Sequence, residues 1–290
     1  MARFFKAHGL GNDYLALDPE TLPFELTPPT VRMICDRHRG VGSDGILALV
    51  PSDAADFGVR IFNPDGSEAE KSGNGLRIFA AYLLSERRLG ETRRFSVETR
   101  GGIVRIAIAE SDDAGAWMVE VEMGSAAFRS EAVGLSGPAR ETVTEMLEMP
   151  SGERLEITAV SLGNPHCVIF QDDLDPELLR RRAPRVSTHP WFTRGTNVQF
   201  ARAVEPAAVE AWVWERGAGE TLASGSSACA VAAAAVRRGL VSERQIEVRM
   251  PGGTLHVEVR PDWSVRLCGP VEDVCWGEFT AGMLRRLRNL

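Results

Sequence analysis

Two short stretches rich in serine and glycine hold the residues best suited to chemistry. Ser72-Gly73-Asn74-Gly75 and Ser224-Gly225-Ser226-Ser227 each put a hydroxyl directly before a helix-like pattern. Free backbone N–H groups at a helix start, reinforced by the helix dipole, bind an anion without needing a basic side chain. Glycines there allow close backbone approach, which suits a small carboxylate. Neither stretch matches the GxxxxGK[ST] loop of nucleotide-binding proteins. A lone serine before a helix is ordinarily a plain N-cap, and a lone glycine-rich turn is ordinarily only a turn. The spacing of the two copies reverses that weighing. Asn12 and Asn164 lie 164 − 12 = 152 positions apart, and the pairs Asn63/Glu215 and Ser72/Ser224 share the same offset. Three separated landmarks in one register mark an internal duplication, whose halves are expected to be pseudo-symmetric, with Ser72 and Ser224 as a facing pair.

Polar residues gather beside these turns: Asn12, Asn63, Asn164, Asn197, Glu215 and Arg216. Each asparagine alone reads as a turn or Asx cap, but the matched positions of Asn12, Asn63, Asn164 and Glu215 fit a shared polar cavity. Glu215-Arg216 follows the apolar run Ala211-Trp212-Val213-Trp214, so it sits at a strand end. There the pair is either a rim salt bridge or a grip on the ammonium and carboxylate of a ligand. His166, two residues past Asn164, is weighed evenly between a structural role and orienting a neighbouring base.

The elements that must position these groups are mostly strands. Alternating or β-branched stretches recur at 95–99, 102–109, 117–123, 155–160, 209–214, 246–250, 255–260 and 264–268. Helical patterns follow the serine turns over 75–88 and 227–239, with flanking helices near 29–38 and 176–182. The hairpin turns at Gly101-Gly102 and Gly252-Gly253 also match, with one residue of slippage. The fold class expected is α/β (α+β), two pseudo-symmetric halves that each wrap a sheet around one central helix. The first half takes residues 1–122 plus the C-terminal segment 277–290, and the second takes 123–276.

With 290 residues, 44% hydrophobic and 25% charged, the chain has ample material for two cores. A net charge of −7 and no basic run beyond Arg180-Arg181-Arg182 argue against nucleic acid. Five scattered cysteines without a CxxC pair read as reduced thiols in a cytoplasmic protein. The N-terminus has no signal-peptide core and no apolar run suits a membrane span. Metal-ligand spacing is absent, and no lysine pattern suggests a Schiff base, so no cofactor and no metal are expected.

In order along the chain, HGLGNDYL, RGVGSDGIL, RIFNPDGSEAE with SGNG, SLGNPH, GTNVQF and WERGAGET with ASG and SACA resemble the diaminopimelate epimerase family over nearly the whole length. The resemblance implies a pyridoxal-independent amino-acid epimerase with its active site in a cleft between two α/β halves, and a family that often forms homodimers. It implies a small amino-acid substrate, LL- or meso-diaminopimelate, a lysine and peptidoglycan precursor. Carried over position by position, Asn63, Asn164, Asn197 and Arg216 would hold the end of the substrate that does not react, with Glu215 near its ammonium. The turns Gly73-Asn74 and Gly225-Ser226 would hold the reacting carboxylate, Asn12 would line the site, and His166 with Glu215 would support the two bases. Those bases depart from the family: its two cysteines are Ser72 and Ser224 here, and a position that is glutamine in some members is Gly45. A thiol titrates near ~8.5, whereas a serine hydroxyl ionises far higher and needs help. An epimerase using Ser72 and Ser224 therefore competes with two other readings, a related isomerase or lyase and a non-catalytic amino-acid binder.

Overall fold

The computed structural model of the chain describes residues 2–111 and 116–290. The chain forms two units, Met1–Val121 with Gly269–Leu290, and Glu122–Cys268. The return to the first unit begins at Gly269, ahead of the expected residue 277. Its cause is one long strand that pairs with the N-terminal strand from Glu272 to Glu278.

The first unit runs β1 (Arg3–Gly9), β2 (Asn12–Leu17), α1 (Pro28–Cys35), β3 (Ile46–Val50), β4 (Phe57–Phe62), β5 (Glu68–Ala69), α2 (Gly73–Ser85), β6 (Arg94–Thr99), β7 (Gly102–Ser111) and β8 (Trp117–Ser125). After α3 (Ser130–Val133) and β9 (Glu145–Glu148), the second repeats that order. It runs β10 (Arg154–Ser161), β11 (Pro165–Phe170), α4 (Pro176–Ser187), β12 (Asn197–Glu205), β13 (Ala208–Glu215), β14 (Gly219–Thr221), α5 (Gly225–Arg238), β15 (Gln245–Met250), β16 (Gly253–Val259) and β17 (Ser264–Glu278). Helix α6 (Ala281–Leu287) closes the chain.

Pairing repeats as faithfully as order. In the first unit β1–β2 is antiparallel, β2–β3 parallel, β3–β4 antiparallel, β4–β6 parallel and β6–β7 antiparallel. The corresponding pairs β10–β11, β11–β12, β12–β13, β13–β15 and β15–β16 have the same senses. Leu15 lies opposite Ile46, and Cys167 lies opposite Val198, so the 152-residue offset holds within the ladder itself.

Each unit has one helix inside and others outside. Every residue of α2 from Gly73 to Leu83 is buried, and in α5 the alanines 228, 230 and 232–235 are all fully buried. Alanine lets strands approach a helix closely from several sides, and a larger side chain would have nowhere to go. Outside, α1 and α6 pack Val31, Ile34, Met283 and Leu287 on Leu15, Ile46 and Phe62. In the second unit α4 packs Leu179, Ala183 and Val186 against Cys167, Val198 and Phe200. Helix α4 runs past the expected end at 182 because Asp175 caps it, Pro176 fits its first turn, and its apolar face continues through Pro184. The cost of that internal proline is offset by burial of Ala183 and Val186.

Expected outcome: Ala233→Leu overpacks α5 and lowers stability by about 1–3 kcal/mol, read as a drop in the thermal unfolding midpoint, whereas Ala281→Leu on exposed α6 leaves the midpoint unchanged.

Candidate active site

The two-residue turn joining β1 and β2 sets the first site. Leu10 (φ 55°) and Gly11 (φ 87°) both take positive φ, as a type I′ hairpin demands. Leucine pays steric strain there, and the result is an Asn12 fixed at the very start of β2. Gly9 has no room for a side chain, since a Cβ would lie 2.1 Å from Asn74 Oδ1. Asn74 in turn donates from Nδ2 to the backbone oxygen (2.9 Å) and Oδ1 (2.6 Å) of Asn12, and its Oδ1 accepts from buried Arg77 at 2.7 Å. Asn12 donates to Asp44 Oδ2 at 2.9 Å, and Arg37 joins Asp13 (2.6 Å) to Asp44 (2.7 Å). Lys6 adds a second cation 2.9 Å from Asp13. Burial pushes the Asp13 carboxyl up, but hydrogen bonds and charge from Arg37 and Lys6 outweigh it and hold the pKa below the ordinary value.

Ser72 caps α2 on this scaffold. Its hydroxyl accepts from Gly75 N at 3.0 Å and lies 3.4 Å from the Tyr14 hydroxyl. Amides at the start of α2 have no acceptor inside the helix, so the turn keeps anion-binding capacity.

The second site has the same backbone and different side chains. Ser224 precedes α5 with nearly the same extended conformation as Ser72 (ψ 125° against 116°), but its hydroxyl makes no cap bond. It is 7% exposed. At the position matching Gly75 stands Ser227, whose hydroxyl accepts from Gln199 Nε2 at 2.9 Å. Gln199 also donates to His166 Nδ1 at 3.0 Å, and His166 Nε2 donates to Asn164 Oδ1 at 3.0 Å. A buried chain thus links the asparagine of the β10–β11 turn to the first turn of α5.

His166, expected to support the two bases together with Glu215, is held as the middle of that buried chain. The ring is fully buried and both nitrogens are engaged. Burial, with the Arg216 charge adding to it, pulls its pKa down to about 3. Near neutrality it has no proton to give as an acid and no idle lone pair to act as a base; it orients Asn164 and, through Gln199, Ser227.

The remaining expected residues fall into place unevenly. Asn197 sits opposite His166 in the parallel ladder, but its amide is spent on backbone, donating to Pro165 O (3.0 Å) and accepting from Arg216 N (2.9 Å). It shapes the turn that presents Arg216, whose guanidinium donates to Arg194 O at 2.8 Å. Glu215 ends β13 beside that turn. Asn63 lies in the β4–β5 turn and donates to Ser67 Oγ at 2.9 Å. The Gly73-Asn74 and Gly225-Ser226 pairs open their helices as expected. Sequence reasoning gave no role to Tyr14, Arg77 or Gln199. The offset could have found the first: 166 − 14 = 152, so Tyr14 is the counterpart of His166.

A profile of the diaminopimelate epimerase family matches residues 4–129 and 158–272. The chain belongs to this family. It is 45% identical over 279 residues to diaminopimelate epimerase 2 of Nostoc sp., covering 96% of this chain and 95% of the relative. It is 42% identical over 278 residues to the diaminopimelate epimerase of Pelotomaculum thermopropionicum, covering 95% and 98%. Among solved structures, a hydroxyproline epimerase from Agrobacterium vitis superposes with a TM-score of 0.70 at 15% identity, covering 97% of this chain and 94% of that one. At that identity the likeness concerns the fold, the mixed α/β arrangement of the diaminopimelate epimerase family. No helix among the described residues is long and apolar enough to cross a membrane.

Because His166 titrates near 6.5 when unfolded and about 3 when folded, its contribution to stability is complete above roughly pH 6.5 and is lost as the pH falls toward 3. Expected outcome: between pH 6.5 and 4 the unfolding midpoint of His166→Gln falls less steeply than that of the wild type. Equal slopes would refute the buried neutral imidazole.

Proposed function

We propose that the protein epimerises diaminopimelate at one α-carbon without an organic cofactor or metal, using Ser72 and Ser224 as paired base and acid. The observation that carries this reading is the recurrence of a hydroxyl directly before a buried helix start at the same position of both repeats. Amides at the two helix starts supply donors for the reacting carboxylate. Starting from the form in which one serine has released its proton to water, that alkoxide takes the α-proton and becomes a hydroxyl, the C–H electron pair passes into the carboxylate-stabilised carbanion, and the other hydroxyl delivers its proton to the opposite face and becomes the alkoxide. Base and acid exchange protonation states, so the pair is conserved over a turnover. Asn63, Asn164, Asn197, Glu215 and Arg216 are assigned to the distal amino-acid end, Asn197 through its hold on Arg216.

Relatives of this chain bear the name diaminopimelate epimerase at 42–45% identity, which supports the choice of substrate. We extend the reading to a cytoplasmic homodimer that binds no nucleic acid, in keeping with five cysteines that form no disulfide and a net charge of −7. Light scattering of the purified protein reads the assembly.

Expected outcome: in deuterated solvent the wild type exchanges the α-hydrogen of LL- and meso-diaminopimelate, and Ser72→Ala or Ser224→Ala lowers the rate by about 10²–10⁴-fold. Ser72→Cys combined with Ser224→Cys raises it. Loss of water or ammonia from the substrate, in place of the small mass gain of deuterium exchange, would mean a lyase. Tight calorimetric binding with no exchange would mean a binder, and either result overturns the epimerase.

A further inference from the structure

The two serines are not equivalent. Among the described residues no donor is bonded to Ser224 Oγ, whereas Ser72 Oγ accepts from the Gly75 amide at 3.0 Å and lies 3.4 Å from the Tyr14 hydroxyl. Tyr14 is only 7% exposed, so its position is set by packing rather than by solvent. A second observation explains how the ring gets there. A Cβ at Gly45 would lie 2.6 Å from Tyr14 Cε1 and 3.0 Å from Cδ1, so the ring occupies space that any other residue at 45 would fill. Gly45 has no positive φ to account for it; the Phe62 backbone oxygen, 2.5 Å from that Cβ, and the tyrosine ring together close the space. A third observation is positional: Tyr14 stands where the second repeat has His166, and each supplies a polar group toward its own helix start, one directly and one through Gln199 and Ser227.

We propose that Tyr14 is a positioning residue for Ser72, its phenol donating to Oγ together with the Gly75 amide so that the negative charge formed when Ser72 loses its proton has two fixed donors. This rests on the epimerase reading for its catalytic consequence. A serine oxygen is a poor base because its ionised form is high in free energy, and preorganised donors aimed at the developing charge are the means by which a protein lowers it. A hydroxyl contact that is long in the free protein shortens once charge develops on the acceptor. No atom is transferred to or from Tyr14; its proton stays on the phenol while the hydrogen bond strengthens. Ser72 is thereby the hydroxyl equipped to start as base and Ser224 the one equipped to start as acid. Gly45 leaves room for that ring beside the Phe62 backbone oxygen.

Two measurements test this on the full chain. In the first, Tyr14→Phe keeps the ring and deletes the donor; kcat for epimerisation is expected to fall about 10- to 100-fold with KM within about twofold, because uniform substrate binding is untouched. The second needs no turnover. In Ser72→Cys the rate of alkylation by iodoacetamide, followed on the peptide containing position 72 by mass spectrometry, reports the thiol's ionisation against pH. Adding Tyr14→Phe is expected to move that midpoint up by about half a unit to one unit. An unmoved midpoint overturns the proposal whatever the kinetics show, as does an unchanged kcat in an active enzyme. A moved midpoint in a protein that exchanges no α-hydrogen leaves the Tyr14 contact standing and removes the epimerase reading instead.

Discussion

A helix enclosed by its own sheet must satisfy the polar groups of its first turn from within the protein, because water cannot reach all of them. That constraint governs both units. Helices α2 and α5 are buried along most of their lengths, and every conspicuous polar contact of the candidate site clusters at their N-terminal ends. At α2 the demand is met by Ser72 on Gly75 N and by the interlocked amides of Asn12 and Asn74. At α5 the buried Ser227 hydroxyl is met by Gln199, and no side chain caps the first amides. An anion with two oxygens is the natural complement of the amides left over.

The two repeats answer one backbone problem with different side chains. Where the first has Gly75, the second has Ser227, and where the first has Tyr14, the second has His166. These exchanges are coupled. With glycine at 75 the helix start is free of side chain, and the capping hydroxyl of Ser72 lies against the Gly75 amide. With serine at 227 a second hydroxyl enters the same turn, is claimed by Gln199, and leaves Ser224 uncapped. The histidine is spent on orienting amides, which its depressed pKa suits, since a neutral ring both donates and accepts.

Much of this could be read from the chain. The 152-residue offset announced the duplication, and glycine-punctuated alternation placed the strands that the ladder confirms in both units. The central helices were legible because Ala228 to Val236 is apolar all round, which only an enclosed helix tolerates. What escaped reading was side-chain partnership. Asn12, Asn74 and Asn197 look alike in sequence, but Asn197 is consumed by backbone while Asn12 belongs to a charged cluster with Arg37 and Asp44. Nothing local distinguishes a ring that packs, as Tyr14 does, from a ring whose hydroxyl meets a serine 58 residues away. The expected boundary at 277 falls after the return at Gly269 because β17 runs as one strand straight through Gly269-Pro270.

That uninterrupted strand has a consequence for biogenesis. The second unit is one contiguous stretch, Glu122–Cys268, whereas the first draws on both chain ends. Strand β1 finds one neighbour in β2 at once, but the other is the segment ending at Glu278, made only after the whole second unit. The usual order, in which the earlier part matures first during synthesis, is thereby inverted: the second unit can close while β1 waits with an open sheet edge, and only the arrival of β17 seals it.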